Sequence, residues 1–97
     1  MMDDDVNELQ SLLRDAAALL RASGAEAVYV FGSVATGKNR DTSDVDLAVS
    51  GLPPGSFFET MARLGDLLDR PVDLVDLDVS SPFTAYLKEK GLLRRVA

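Results

Sequence analysis

Two short apolar runs, each followed closely by a glycine, constrain this chain more than any other feature of its sequence. The runs are Ala27–Phe31, which precedes Gly32, and Val45–Val49, which precedes Gly51. Short runs dominated by β-branched, aliphatic and aromatic residues and bounded by glycine are typical of buried strands. The sequence therefore predicts two buried strands at these positions.

Three other segments have helical features, which are apolar residues at helical spacing or a start signal followed by apolar residues. They run from about Asp4 to Ser23, from Ser56 to about Leu68, and from Ser81 to Gly91. The first is expected to end at Gly24 and the third at Gly91, since glycine favours helix ends. The sequence therefore predicts three helices that alternate with the strands.

Start signals support the second and third helices. Ser56 and Glu59 match the S-x-x-E pattern of a capping box, and Pro82 occupies the favoured first position of the last helix. Phe57 and Phe58, at the start of the second helix, are interpreted as core or lid packing and not as a surface for base stacking.

A third strand is predicted at Val72–Leu77, and Leu92–Val96 forms either a short edge strand or an arm. The order helix, strand, loop, strand, helix, strand, helix indicates a small α/β fold with a mixed sheet and flanking helices. No interdomain linker or internal repeat is visible. Residues 1–97 are therefore expected to form a single domain.

Composition excludes several kinds of active site. The chain of 97 residues has no cysteine and no histidine, which excludes disulfides, thiol catalysis, Ser-His-Asp catalysis and the usual zinc sites. Any metal ion must then be bound by oxygen atoms. Oxygen ligands favour hard cations such as Mg²⁺ or Mn²⁺.

Charge and hydropathy limit the possible partners and the possible location of the protein. The formal net charge is -6, so direct binding to nucleic acid is not expected, whereas a basic protein partner would suit this surface. Residues 1–5 are acidic where a signal peptide would be basic, and no apolar run approaches the roughly 20 residues that span a bilayer. The sequence predicts a cytoplasmic protein without a membrane segment.

Asp44 and Asp46 are candidate metal ligands. They are separated by one residue at the start of a strand, so their carboxylates project from the same face. Two like charges held side by side repel each other unless a cation lies between them, although a solvent-exposed strand start would also tolerate the pair. The pair Gly32-Ser33 follows the preceding strand and opens a loop whose backbone amides can bind phosphate, although the pair alone is common in turns. A strand, Gly-Ser, ten intervening residues and then Asp-x-Asp on a second strand is a far rarer combination than either feature alone.

A competing motif lies in the same loop. Residues 32–39 come within one position of the P-loop pattern G-x-x-x-x-G-K-[ST]. Asn39 stands where a hydroxyl must bind Mg²⁺, and the residues that follow lead into a strand instead of a helix. The P-loop interpretation is therefore rejected. Lys38 and Arg40 remain equally open to surface solvation and to phosphate contact.

Residues 31–37 and 43–49 resemble the polymerase β-like nucleotidyltransferase superfamily, in particular the small stand-alone minimal nucleotidyltransferase (MNT) proteins. The similarity extends to Val72–Leu77 and loosely to residues 90–93. The resemblance implies that Gly32 and Ser33 contact the phosphates of a nucleoside triphosphate. It also implies that Asp44 and Asp46 bind the nucleotide through Mg²⁺, with a third carboxylate completing the site.

Asp73 and Asp76 compete for the place of the third carboxylate. Their odd separation puts them on opposite faces of the strand, so only one can join the cluster. Asp73 matches the family pattern better, and it interrupts an apolar run in which an unpaired carboxylate would be costly to bury. Asp76 is expected to be easier to solvate. We therefore predict Asp44, Asp46 and Asp73 as catalytic and metal-binding residues around two Mg²⁺ ions, with Asp73 also able to act as general base.

The resemblance also implies a function. Many stand-alone MNT proteins are antitoxins of a HEPN-domain ribonuclease toxin, and some transfer AMP from ATP to a tyrosine of that toxin. The short chain has no evident domain for an acceptor, which favours a partner protein as acceptor. Two alternatives remain: a non-catalytic antitoxin that neutralises its partner by binding, and the catalytic subunit of a two-component enzyme acting on a small molecule.

Overall fold

The structure is a computed structural model that describes residues 2–32 and 45–97. Its regular elements, in chain order, are α1 (Met2–Ala22), β1 (Ala27–Phe31), β2 (Val45–Ser50), α2 (Phe57–Leu68), β3 (Val72–Asp76), α3 (Pro82–Glu89) and β4 (Arg94–Arg95). A 3₁₀ turn, Pro54–Ser56, precedes α2. The predicted helices and strands are present with small shifts at their ends, and β4 confirms the edge-strand alternative for the C-terminal segment.

The described strands form one mixed sheet in the order β3-β2-β1-β4. β1 pairs antiparallel with β2 and with β4, whereas β2 and β3 are parallel. A parallel pair needs a crossover connection, and α2 supplies it between β2 and β3. The prediction of an α/β fold with a mixed sheet is confirmed.

One face of the sheet carries the larger core. The strand side chains that point to this face are Val28, Val30, Val45, Leu47, Val49 and Leu74, and they pack against Leu20 of α1 and Leu64 of α2. Leu20 and Leu64 are fully buried. We call this side the core face.

Among the described residues, α3 covers part of the opposite face. A smaller cluster on this side contains Phe31, Ala48, Leu77 and, from α3, Leu87. Other side chains of the same face, described below, remain open to solvent. We call this side the open face.

The capping box predicted at the start of α2 is wrong. Ser56 makes no side-chain capping bond and has helical torsions (φ -100°, ψ -3°), because the 3₁₀ turn leads directly into α2. An N-cap residue normally has extended torsions. Glu59 forms an ion pair of 2.8 Å with Arg63 instead.

A capping box is found at α3. The Ser81 hydroxyl accepts from the Thr84 amide at 3.2 Å, and the Thr84 hydroxyl accepts from the Ser81 amide at 3.1 Å. Pro82 is the first residue of this helix, as predicted. The reciprocal bonds fix the point at which the chain enters the open face.

Glycines end two of the helices, as the sequence predicts. α1 stops at Ala22, and Gly24 follows with φ +115°, a conformation that favours glycine. Gly91 has φ +64° just beyond α3. Of the helices in residues 2–32 and 45–97, none is long and apolar enough to cross a membrane.

Candidate active site

A row of three residues crosses the open face at the end where β1 stops and β2 and β3 begin. Phe31 of β1 is the direct partner of Asp46 in β2, and Asp46 is the direct partner of Asp73 in β3. Directly paired residues of neighbouring strands project to the same side of a sheet. Two of the predicted carboxylates are therefore neighbours, with an aromatic residue beside them.

The carboxylate of Asp46 lies against the backbone of Gly32. Gly32 has φ +72°, and a Cβ atom added there would overlap Oδ2 of Asp46 and lie 3.2 Å from its Cγ. Only the hydrogen of glycine fits between the two residues. Gly32, which directly follows β1, and the Asp46 side chain are thus closely packed.

The register distinguishes the two competing carboxylates of β3. Asp76 pairs with Val49 and belongs to the core-face set of side chains, and its Oδ1 accepts from the amide of Asp78 at 2.9 Å. Asp73 alone of the two is placed beside Asp46. The structure therefore brings together Asp46 and Asp73 and leaves Asp76 on the other side.

The solvent exposure of these two carboxylates is opposite to the prediction. Asp73 is exposed and Asp76 is half-buried. Asp73 is open to water because β3 is an edge strand of the described sheet and α3 does not cover its first residues. The high cost of burying a carboxylate is thus no argument for Asp73, whose assignment depends on its position beside Asp46.

Asp44 and Ser33 lie outside the described residues, as do Lys38 and Arg40. Within residues 2–32 and 45–97, no cluster of three or more acidic side chains has the geometry to bind a metal ion. The Asp46 and Asp73 pair is chemically suited to Mg²⁺, because both donors are carboxylate oxygens on one face and Asp73 is accessible from solvent. The assignment of Asp44, Asp46 and Asp73 as ligands remains a prediction.

An aromatic residue of α3 lies next to this row. The rings of Phe83 and Phe31 meet edge to face, with centroids 5.9 Å apart and an interplanar angle of 65°. Phe31 is 8% exposed, whereas Phe83 is 49% exposed. Phe83 was not predicted as a site residue, since no local sequence pattern connects the start of α3 with the end of β1.

A groove of about 450 Å³ lies elsewhere, between the starts of α2 and α3. Its lining includes Pro54, Phe57, Phe58, Val75, Val79 and Thr84. Phe57 packs at the edge of the core, as predicted. Phe58 is 76% exposed, so core packing is wrong for this residue, whereas lid packing stays a prediction. Neither Asp46 nor Asp73 lines this groove.

Comparison with known proteins places the geometry in a family. The family "Polymerase beta, Nucleotidyltransferase" matches residues 16–92, which include β1, β2 and β3. No curated protein matches the chain.

Solved structures give a consistent result. A toxin–antitoxin complex with AMP-PNP superposes with a TM-score of 0.73 and 28% identity, over 88% of this chain and 72% of the other. A protein described as a minimal nucleotidyltransferase gives 0.73 and 26%, over 94% and 93% of the two chains. The tri-AMPylated HEPN toxin of Shewanella oneidensis in complex with its MNT antitoxin gives 0.68 and 26%, over 91% and 71%.

The fold, the family match and these structural neighbours agree with one another. The family match covers most of the chain, and it contains the strands that carry Asp46 and Asp73. The chain therefore belongs to the polymerase β nucleotidyltransferase family.

Proposed function

We propose that this protein is a Mg²⁺-dependent adenylyltransferase that transfers AMP from ATP to a tyrosine of a HEPN ribonuclease toxin and so acts as an antitoxin. The observation that carries the proposal is the pairing of Asp46 with Asp73 on the open face, beside Gly32. Two structural neighbours add support: one is a toxin–antitoxin complex with AMP-PNP, and the other contains an AMPylated HEPN toxin.

The residues at the end of β1 and the starts of β2 and β3 have distinct roles in this proposal. Gly32 and Ser33 bind the phosphates, because a glycine with φ +72° allows close approach of a ligand to the backbone. Asp46 and Asp73, together with Asp44, would hold two Mg²⁺ ions. Bound Mg²⁺ would neutralise phosphate charge and lower the pKa of the attacking hydroxyl.

The transfer is a displacement at the α-phosphorus of ATP. The tyrosine oxygen forms a bond to this phosphorus, the bond to the bridging oxygen of the β-phosphate breaks, and pyrophosphate leaves. Asp73, the exposed member of the pair, accepts the hydroxyl proton as general base. Asp46, held against Gly32, keeps a fixed position during the reaction.

Two properties of the described surface favour a protein acceptor. Among the described residues, α3 covers part of the open face and Asp73 is exposed, which leaves this carboxylate accessible to a protein surface. The net charge of -6 favours a basic partner. The proposed reaction consumes ATP, and its proposed location is therefore the cytoplasm.

The test is to incubate the protein with its partner toxin, ATP and Mg²⁺ and to measure the mass of the toxin. The expected result is the addition of one or more AMP groups to a toxin tyrosine, lost when Asp46→Asn replaces the wild type and kept with Asp66→Asn. Asp66 is an exposed carboxylate of α2, so its replacement controls for charge.

Two results would contradict this function. An unchanged toxin mass with folded components excludes transfer to this partner. An Asp46→Asn variant that still neutralises the toxin shows that binding alone is sufficient, which is the non-catalytic alternative.

A further inference from the structure

The half-exposed ring of Phe83 lies beside the row formed by Phe31, Asp46 and Asp73. The buried core is complete without this ring. Phe83 is 49% exposed, and the buried contacts of α3 with the sheet come from Leu87. Large aromatic side chains on a surface are often binding elements, because they offer apolar area at low cost in conformational entropy.

The position of Phe83 follows from its contact with Phe31. The Phe31 ring is buried and meets Phe83 edge to face at 5.9 Å, so it fixes the Phe83 ring from one side. Phe31 is also the direct strand partner of Asp46 and the residue before Gly32. Since neighbouring strands are about 5 Å apart, the carboxylate pair lies within about 10 Å of Phe31 along the row. A nucleoside triphosphate is long enough to bridge this distance.

We propose that Phe83, held in place by Phe31, is the surface on which the base of the bound nucleoside triphosphate stacks. Its triphosphate then lies between Gly32 and the carboxylates. This inference rests on the proposed function, because it assigns the base position of the same nucleotide. Stacking on an aromatic face tolerates every base, so Phe83 contributes affinity and orientation more than choice of nucleotide.

A second pair of phenylalanines provides a matched control. Phe57 and Phe58 also meet edge to face, with centroids 5.4 Å apart, and Phe58 is even more exposed than Phe83, at 76%. This pair lines the groove between α2 and α3 and not the carboxylate row. Replacing Phe58 removes the same chemical group from a place where no base is expected.

The experiment measures affinity and stacking separately. ATP with Mg²⁺ is titrated into wild type, Phe83→Ala, Phe83→Leu and Phe58→Ala. The triphosphate of 2-aminopurine riboside, whose fluorescence is quenched when its base stacks on an aromatic ring, is then bound to each at saturation. We expect the Kd for ATP to rise about tenfold in both Phe83 variants, with loss of quenching, and to stay unchanged in Phe58→Ala. Phe83→Leu keeps apolar packing against Phe31, so its effect reports the ring and not the fold.

Other outcomes would overturn either the stacking role of Phe83 or the proposed function. Equal quenching in wild type and both Phe83 variants, or no quenching in wild type, overturns the stacking surface. Normal ATP affinity with reduced AMP transfer in the Phe83 variants makes Phe83 a contact for the partner protein instead. Absence of Mg²⁺-dependent nucleotide binding in wild type, or binding that Asp46→Asn does not weaken, overturns the proposed function itself.

Discussion

The two faces of the sheet are made by the same strands but carry different chemistry. On the core face, Leu47, Val49 and Leu74 are at most 7% exposed and are covered by α1 and α2. On the open face, Asp46 is half-buried and Asp73 is exposed. Because side chains alternate along a strand, adjacent residues such as Asp46 and Leu47 belong to different faces. The residues of the core and those of the proposed nucleotide site are thereby separated by a single step along the chain.

The largest effect on chemistry is expected from Asp46→Asn. This change keeps the size of the side chain but removes a charge that Mg²⁺ needs, so AMP transfer should fall by about a thousandfold or more. The melting temperature should change little in comparison. Transfer to the toxin and thermal unfolding are measured on the same sample, and retained transfer would show that the open face is not the reacting surface.

The change Leu47→Ala, at the next residue of β2, should instead lower the stability of the protein. Leu47 is 1% exposed, and its truncation leaves a cavity in the core, so the free energy of unfolding should fall by about 2–5 kcal/mol. Urea titration measures this loss. Leu92→Ala, at a side chain 43% exposed, is the control and should cost under about 1 kcal/mol. Similar losses at both positions would contradict the assignment of the core face.

Gly32→Ala tests the contact between Gly32 and Asp46, with Gly91→Ala as its control. Both glycines have positive φ, +72° and +64°, but an added Cβ meets Asp46 at the first and nothing at the second. Backbone strain should destabilise each variant by about 1–2 kcal/mol, and the overlap with Asp46 should add to this cost in Gly32→Ala. Only Gly32→Ala should also weaken ATP binding. Equal ATP affinity in the two variants would separate Gly32 from the nucleotide site.

The smallest effect on the free energy of unfolding is expected from a change on the solvent-exposed side of α2. Arg63 and Glu59 form an ion pair on α2 with side chains 63% and 67% exposed. Solvent screens such pairs, so Arg63→Ala should change the free energy of unfolding by about 0.5 kcal/mol or less. A loss above about 1 kcal/mol in urea titration would mean that this surface is buried in the folded protein in solution.

Much of the fold could be predicted because its signals are local. The strand ends at Phe31 and Val45, and the helix stops at Gly24 and Gly91, follow from residues next to each other in the sequence. The cap of α2 was predicted wrongly because S-x-x-E does not reveal that a preceding 3₁₀ turn already sets helical torsions at the serine.

The candidate site was predictable only in part. Strand alternation separates Asp73 from Asp76, but sequence does not give the edge position of β3 that exposes Asp73. The approach of Phe83 to Phe31 depends on how α3 crosses the sheet. Such contacts join distant parts of the chain and leave no local pattern.

The central claim is that Asp46 and Asp73, paired on the open face, hold a nucleotide through Mg²⁺. The most direct measurement is calorimetric titration of ATP, with and without Mg²⁺, into wild type, Asp73→Asn and Asp76→Asn. The two variants remove the same charge from opposite faces of one strand. We expect Mg²⁺-dependent binding in wild type and Asp76→Asn and its loss in Asp73→Asn. Binding that survives Asp73→Asn, or that is lost only in Asp76→Asn, would contradict the claim.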